Sequence, residues 1–363
     1  MKLFIPGPIS VSEEIAITQT KEMISHRSSE FKELMKECSE GLQNILYTKN
    51  RVLISTSSGS GFMEGAIRNT VNKKVLVCVC GAFGKKWAQI ATSCGKEVTI
   101  LNFKEGNAIN KEELKNALTK NDFEAVCITL NETSTGIENN LEELVPIIRE
   151  QNNNILILVD AVSGMGGTRI HVDKLGLDVC LASSQKCFAL PPGLAFASVS
   201  EKVLEKAITI KDRGYYFDFV ELAKEYDENQ TPYTPAVGLM FALQEQLKLI
   251  KKEGIEERFN RHKKLKEITH AWVRDNGFFI FSDEKYSSNT ITCINNTKKI
   301  DLSKLKKAMI TKGYFIDTGY RKLNEKLLSE GKDETFRIPH MGELSEEELH
   351  KFLDTLKIIM GEI

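Results

Sequence analysis

Seven short apolar runs, separated by longer amphipathic stretches, constrain this chain more than any other feature. The runs fall at 52–55 (V-L-I-S), 75–80 (V-L-V-C-V-C), 98–101, 125–130 (A-V-C-I-T-L), 155–159 (I-L-I-L-V), 178–182 and 194–199. Several are apolar at every position rather than at alternate ones, and a strand of that kind must be covered on both faces. The stretches between them, at 61–71, 84–94, 111–119 and 141–151, read as helices. Strand, helix, strand in regular succession predicts an α/β fold. Its centre is a mostly parallel sheet with helices on both faces, and its connections are right-handed crossovers.

The character changes after Pro235. Residues 236–252 and 255–275 read as long helices, the second with Ile255, Phe259, His262, Leu265, Ile268 and Trp272 on one face. Short strands near 278–282 and 289–294, a helix at 301–312, a strand at 335–339 and a helix at 345–360 follow. Ser345 with Glu348 allows a capping box at the start of the last helix. Residues 319–334 mix Gly, Lys, Asn and Glu without periodicity and are expected to form a flexible loop. A length of 363 residues, at roughly 150 per domain, predicts two domains. The larger spans 15–252, and the smaller, an α+β unit, combines 1–14 with 253–363.

Charge and cysteine usage narrow the function. Lys+Arg 49 against Asp+Glu 50 leaves a net charge of -1, whereas a dedicated nucleic-acid binder carries a basic excess or stripe. No stretch approaches the ~20 apolar residues of a membrane span. The start, M-K-L-F-I-P-G-P, does not read as a signal peptide, so a cytoplasmic protein is expected. The eight cysteines sit mostly in apolar runs and include no C-x-x-C pair, and the six histidines include no H-x-x-x-H pair. No catalytic metal is expected.

In an open parallel sheet, ligands bind beyond the carboxyl ends of the strands. Five of the strand ends carry T-S-S-G-S-G, G-A-F-G, N-E-T-S-T-G, Asp160 with A-V-S-G-M-G-G, and S-S-Q-K-C. The Ser58-Gly59-Ser60-Gly61 turn opens a helix, and helix N-termini attract phosphate. With Gly65 it is a near miss for the dinucleotide fingerprint, which leaves a nicotinamide-dependent oxidoreductase as an alternative of another class. Asp160 ends an apolar strand and Lys186 follows a later one; each is costly to bury as a lone charge. A buried ion pair between them would satisfy both. Together with the phosphate turn they also match pyridoxal 5'-phosphate, which requires a Schiff-base lysine, a carboxylate at its ring nitrogen and donors for its phosphate.

At these residues the sequence resembles the class V aminotransferases of the fold-type I pyridoxal-phosphate superfamily, in particular the alanine–glyoxylate, serine–glyoxylate and serine–pyruvate group. The matching motifs run nearly end to end. They are P-G-P at 6–8, H-R-S-S-E-F at 26–31, S-G-S-G at 58–61, G-A-F-G at 81–84 and N-E-T-S-T-G at 131–136. V-D-A-V-S-G at 159–164, S-S-Q-K-C at 183–187, P-P-G-L-A at 191–195 and F-R-I-P-H-M-G at 336–342 complete them. The resemblance implies that Lys186 is the Schiff-base lysine and proton shuttle and Asp160 the partner of the pyridinium. It implies that Ser58, Gly59, Ser60 and Gln185 hold the phosphate, with Thr234 contributing from the neighbouring subunit of a homodimer. Thr133 would lie near the cofactor's ring hydroxyl, and Phe83 would stack on the ring. Arg337 would grip the α-carboxylate of small amino acid and keto acid substrates.

Some positions depart from that pattern. Leu130 stands where many relatives have His, and Thr231 where some have Tyr. The stretch R-G-Y-Y-F-D at 213–218, followed by N-Q-T-P-Y-T-P, is similar to phosphoserine aminotransferase-like members. His26 and Arg27 either border the entrance or form a solvated or interface pair. A cysteine desulfurase or lyase is the other family relation. A desulfurase needs a nucleophilic cysteine on a mobile loop, and the last cysteine here, Cys293, lies in the strand-like T-I-T-C-I-N.

Overall fold

The structure, a computed structural model, describes all 363 residues. Each apolar run forms a strand of one seven-stranded sheet. The strands are Arg51–Thr56 (β1), Lys74–Val79 (β2), Glu97–Asn102 (β3), Ala125–Thr129 (β4), Leu156–Asp160 (β5), Val179–Ser183 (β6) and Leu194–Val199 (β7). Their spatial order is β1-β7-β6-β5-β4-β2-β3. All neighbours run parallel except β7, which is antiparallel to both β6 and β1. The crossover rule fails at this one connection for a physical reason. Parallel pairing needs a crossover of a dozen or more residues, and the short link from β6 to β7 holds no helix.

Side chains alternate across a strand, so the fully apolar runs feed two cores. Val52, Leu76, Val126, Ile157 and Cys180 face one side, covered by the helices Ser29–Leu46 (α1), Leu141–Gln151 (α2) and Val237–Glu253 (α3). Leu53, Val77, Cys127, Leu158 and Leu181 face the other, with residues of the helices Gly59–Thr70 (α4) and Ala82–Ser93 (α5). Each fully buried Leu or Val contributes about 1.5–3 kcal/mol. The two cores hold the strand ends at one edge of the sheet.

A third core joins the chain's two ends. Strand Lys2–Phe4 pairs in parallel with Tyr314–Ile316, and the Phe4 ring stacks 3.7 Å from that of Phe352. Phe4 shares this core with residues from Leu265 to Ile359. The anchored N-terminal strand delivers the Pro6-Gly7-Pro8 turn to the sheet edge; no helix is long and apolar enough to cross a membrane. The last helix, Glu346–Glu362, opens on the expected capping box of Ser345 and Glu348.

The expectation of a flexible loop over 319–334 is wrong. Arg321–Ser329 is a helix whose buried residues are Leu323, Asn324 and Leu327. The Leu323–Leu327 pair is an i, i+4 stripe that a polar member, Asn324, disguises. Asn324 is inside because its amide serves the backbone: Nδ2 donates to the carbonyls of Thr318 and Thr335, and Oδ1 accepts from Thr335 N.

Candidate active site

The Ser58 turn is an open anion cradle. Most helices here have their first N–H groups capped by Ser, Asn or Asp side chains, but Ser58 makes no side-chain cap to α4. The free N–H groups at the positive end of a helix dipole suit a phosphate. Each glycine of the turn has its own neighbour. A Cβ on Gly59 would come within 2.6 Å of Val162 Cγ2, and one on Gly61 would overlap the Phe217 ring. Gly65 is likewise filled by Phe217 and Phe219.

Asp160 ends β5 and Lys186 follows the end of its parallel neighbour β6, but they form no ion pair with each other. The Asp160 carboxylate has one hydrogen bond, from Val162 N at 2.9 Å. Burial, aided by the nearby Glu132 charge and opposed by that hydrogen bond, raises its pKa to about 6. Lys186 donates from Nζ to Pro6 O. Burial, followed by the charge of Arg337, lowers its pKa to about 8. Gly7 beside it has a φ of +133, which a residue with a side chain rarely adopts, and a Cβ there would meet the lysine's end. Next to it, Gln185 Oε1 is buried and without a hydrogen-bond partner. The edge thus holds a lysine easily deprotonated, a carboxylate that gains from a cationic partner, and a free acceptor.

Phe83 is set by a residue given no role from the sequence. Glu132 is fully buried and accepts from Phe83 N, Gly84 N and Ser134 N, and Ser134 Oγ donates to it as well. Ala82 N donates to Ser134 Oγ. This carboxylate caps α5, as a negative charge at a helix N-terminus should, and fixes the half-buried Phe83 at the helix start. Thr133 lies on the same segment, its hydroxyl 2.6 Å from Ser163 Oγ. Its carbonyl accepts from Arg337 Nη1 at 2.9 Å.

The whole chain has close counterparts. The aminotransferase class-V family model matches residues 13–352. The chain belongs to the class V aminotransferases. An uncharacterized aminotransferase of Methanocaldococcus jannaschii is 36% identical over 99% of this chain and 93% of its own length. An L-aspartate–glyoxylate aminotransferase of Paracoccus denitrificans is 29% identical over 99% of this chain and 91% of its own. Among solved structures, alanine–glyoxylate aminotransferase from Nostoc sp. superposes with a TM-score of 0.91 at 26% identity, covering 99% of this chain and 94% of that one.

Within this aminotransferase, the remaining sequence expectations sort by environment. The near-dinucleotide glycines are spacing for Val162 and Phe217, so the nicotinamide alternative loses its one support. The R-G-Y-Y-F-D stretch packs onto α4 through Phe217. Cys293 is buried in strand Ile291–Asn295, and burial pushes its thiol up to about 12. A desulfurase nucleophile must reach the thiolate, and this one does not. Arg27 donates to Gln230 Oε1 and to the carbonyls of Thr231 and Pro232. It thereby ties down the turn that carries Thr234. Thr234 itself is exposed and is not brought to the other residues. Its turn abuts the end of β1 that leads into the Ser58 turn of the same chain, where Ala236 N donates to Thr56 Oγ1.

Proposed function

We propose that this aminotransferase uses pyridoxal 5'-phosphate on Lys186. It moves the amino group of a small amino acid, such as alanine or serine, to glyoxylate or pyruvate in a ping-pong reaction. One observation carries the cofactor reading. Two buried charged side chains on adjacent strand ends are each pushed toward neutrality, are unpaired with each other, and sit with an uncapped helix N-terminus. An amine-reactive aldehyde, a basic ring nitrogen and a phosphate answer those three demands in one molecule. The glyoxylate acceptor is supported by the named activities of the Paracoccus and Nostoc relatives.

Pyridoxal phosphate, when bound, supplies the aldehyde that condenses with amines and a ring that accepts electrons. The chain's own residues do the rest. N–H groups of Gly59 and Ser60, the Ser58 hydroxyl and Gln185 bind the phosphate. Phe83 would face the bound ring, Thr133 would be available to its hydroxyl, and Asp160 would keep a proton on its nitrogen. Arg337 receives the α-carboxylate, because a planar guanidinium fork matches a carboxylate as lysine cannot. Lys186 Nζ, easily deprotonated in this buried setting, would act as the base that moves the proton from the donor's Cα. Addition of pyridoxal phosphate to the purified protein is expected to give an absorbance band near the visible edge, and borohydride should fix the label on Lys186. A colourless protein that cannot be reconstituted would contradict the cofactor reading. A panel of donors against glyoxylate, pyruvate and 2-oxoglutarate identifies the substrates, and preference for a donor without an α-carboxylate would contradict the Arg337 role.

We place the domain boundary so that 15–252 forms one unit and 1–14 with 253–363 the other, supported by the core that Phe4 shares with the C-terminal elements. A cytoplasmic location is supported by eight free cysteines, the state kept by a reducing compartment. We also propose a two-fold homodimer in which the exposed Thr234 meets the partner's phosphate site. An isologous interface makes that contact twice, so cofactor should strengthen the dimer by linkage. Sedimentation with and without pyridoxal phosphate checks this; a fully active monomer would rule out the shared site.

A further inference from the structure

The D-T-G-Y turn at 317–320 is built against the strand that carries Arg337. Asp317 and Arg337 form a backbone bridge, and a Cβ on Gly319, whose φ is +89, would overlap Thr335 O. Asn324 clamps the turn to the same strand through Thr318 and Thr335. Within this frame the Asp317 carboxylate takes two N–H groups of Arg337, Nε at 2.8 Å and Nη2 at 2.8 Å. It is itself held by Gly319 N at 2.8 Å. Guanidinium has five N–H donors. Asp317 uses two and Thr133 O a third, which leaves one N–H on each terminal nitrogen. The Tyr320 ring flanks the same guanidinium, 5.9 Å from its carbon.

We propose that Asp317 is a positioning residue for the substrate's α-carboxylate, holding one edge of Arg337 so that only its Nη1 and Nη2 protons remain for the substrate. This rests on the reading that Arg337 receives that carboxylate. A long arginine side chain loses rotamer freedom when it is fixed, and here the fold has fixed it before the substrate arrives. Without Asp317 the substrate must order the arginine itself. Amino donor and keto acceptor share the carboxylate, so both half-reactions weaken together; a local packing defect has no reason to do so. The charge of Asp317 also acts at a distance. Lys186 faces Arg337, Lys86, Asp160 and Cys187, and Arg337 in turn faces Asp317, Tyr320 and Cys293. With Asp317 neutral, Arg337 presents more positive charge to Lys186 and disfavours a proton there.

The test uses the cofactor-loaded enzyme with Asp317→Asn, which preserves shape, and Asp317→Ala. Both variants are expected to raise KM for donor and acceptor roughly tenfold or more, with kcat within about threefold. The pH midpoint of the bound cofactor's absorbance change should move down, by about half a unit or more. An unchanged or lowered KM for either substrate in both variants overturns the proposal, as does an unmoved pH midpoint. Arg337→Ala run alongside separates the two levels. If it leaves KM unchanged, the role of Arg337 itself falls. If it raises KM while the Asp317 variants do not, only the positioning role falls.

Discussion

Lys186→Ala is expected to slow transamination by at least ~10⁴-fold, and Lys186→Arg by as much. The alanine variant removes both the amine that anchors the cofactor and the group that carries the proton at the donor's Cα. The arginine variant is the sharper of the two, because it keeps a positive charge at the end of a long chain. Its guanidinium does not deprotonate in proteins, so it offers neither an amine for condensation nor a base. The native site is tuned in the opposite direction: burial first, and Arg337 second, bring the lysine to about 8, within reach of neutral pH. The alanine change should not damage the fold: the lysine's one hydrogen bond is to Pro6 O, and its removal relieves a buried charge at the same time. The arginine change keeps a charge in the buried site, so its thermal unfolding is the control that matters. Steady-state rates, with thermal unfolding as the control, check this. Turnover within tenfold of the wild type in Lys186→Arg would show that Lys186 is not the proton carrier.

The central sheet was legible because parallel strands buried on both faces must be apolar throughout, and V-L-V-C-V-C or I-L-I-L-V can hardly be anything else. Asp160 and Lys186 were legible for the converse reason, as charges placed where such runs stop. What escaped notice had its signal hidden by chemistry of another kind. Glu132 stood in the quoted N-E-T-S-T-G motif, yet a carboxylate that caps a helix fifty residues earlier leaves no local trace. Asp317 and the helix after it were lost because the buried stripe contains Asn324, a polar residue buried to satisfy backbone groups rather than to avoid water. The glycines of S-G-S-G suggested a nucleotide turn, whereas Gly61 and Gly65 are small to admit Phe217, a neighbour that only the tertiary fold supplies. Periodicity reports burial; it does not report which buried polar atom serves which distant backbone.

Asp160→Asn separates function from stability, and the two should move in opposite directions. In the loaded enzyme the variant loses the negative charge that keeps a proton on the ring nitrogen. Electrostatic stabilisation in a dry site is among the largest catalytic contributions, so a rate loss of ~10³-fold or more is expected. The cofactor-free protein should become more stable. Burial raises the Asp160 carboxyl to about 6, against ~3.9 in an unfolded chain. Between those pH values the native state binds more protons than the unfolded one, so wild-type stability falls as pH rises through this window. Above it the full cost of a buried, unpaired carboxylate is present, on the order of 2–3 kcal/mol at 1.36 kcal/mol per unit. Asparagine does not titrate and can still accept from Val162 N. The cofactor-free variant should therefore unfold at a higher temperature than the wild type at pH 8, with the gap closing toward pH 4. Bound cofactor gives the wild-type carboxylate a cation, so the gap should also shrink on loading. A variant that is less stable at pH 8, or one that turns over at near wild-type rate, would mean that Asp160 is placed there for the fold and not for the ring.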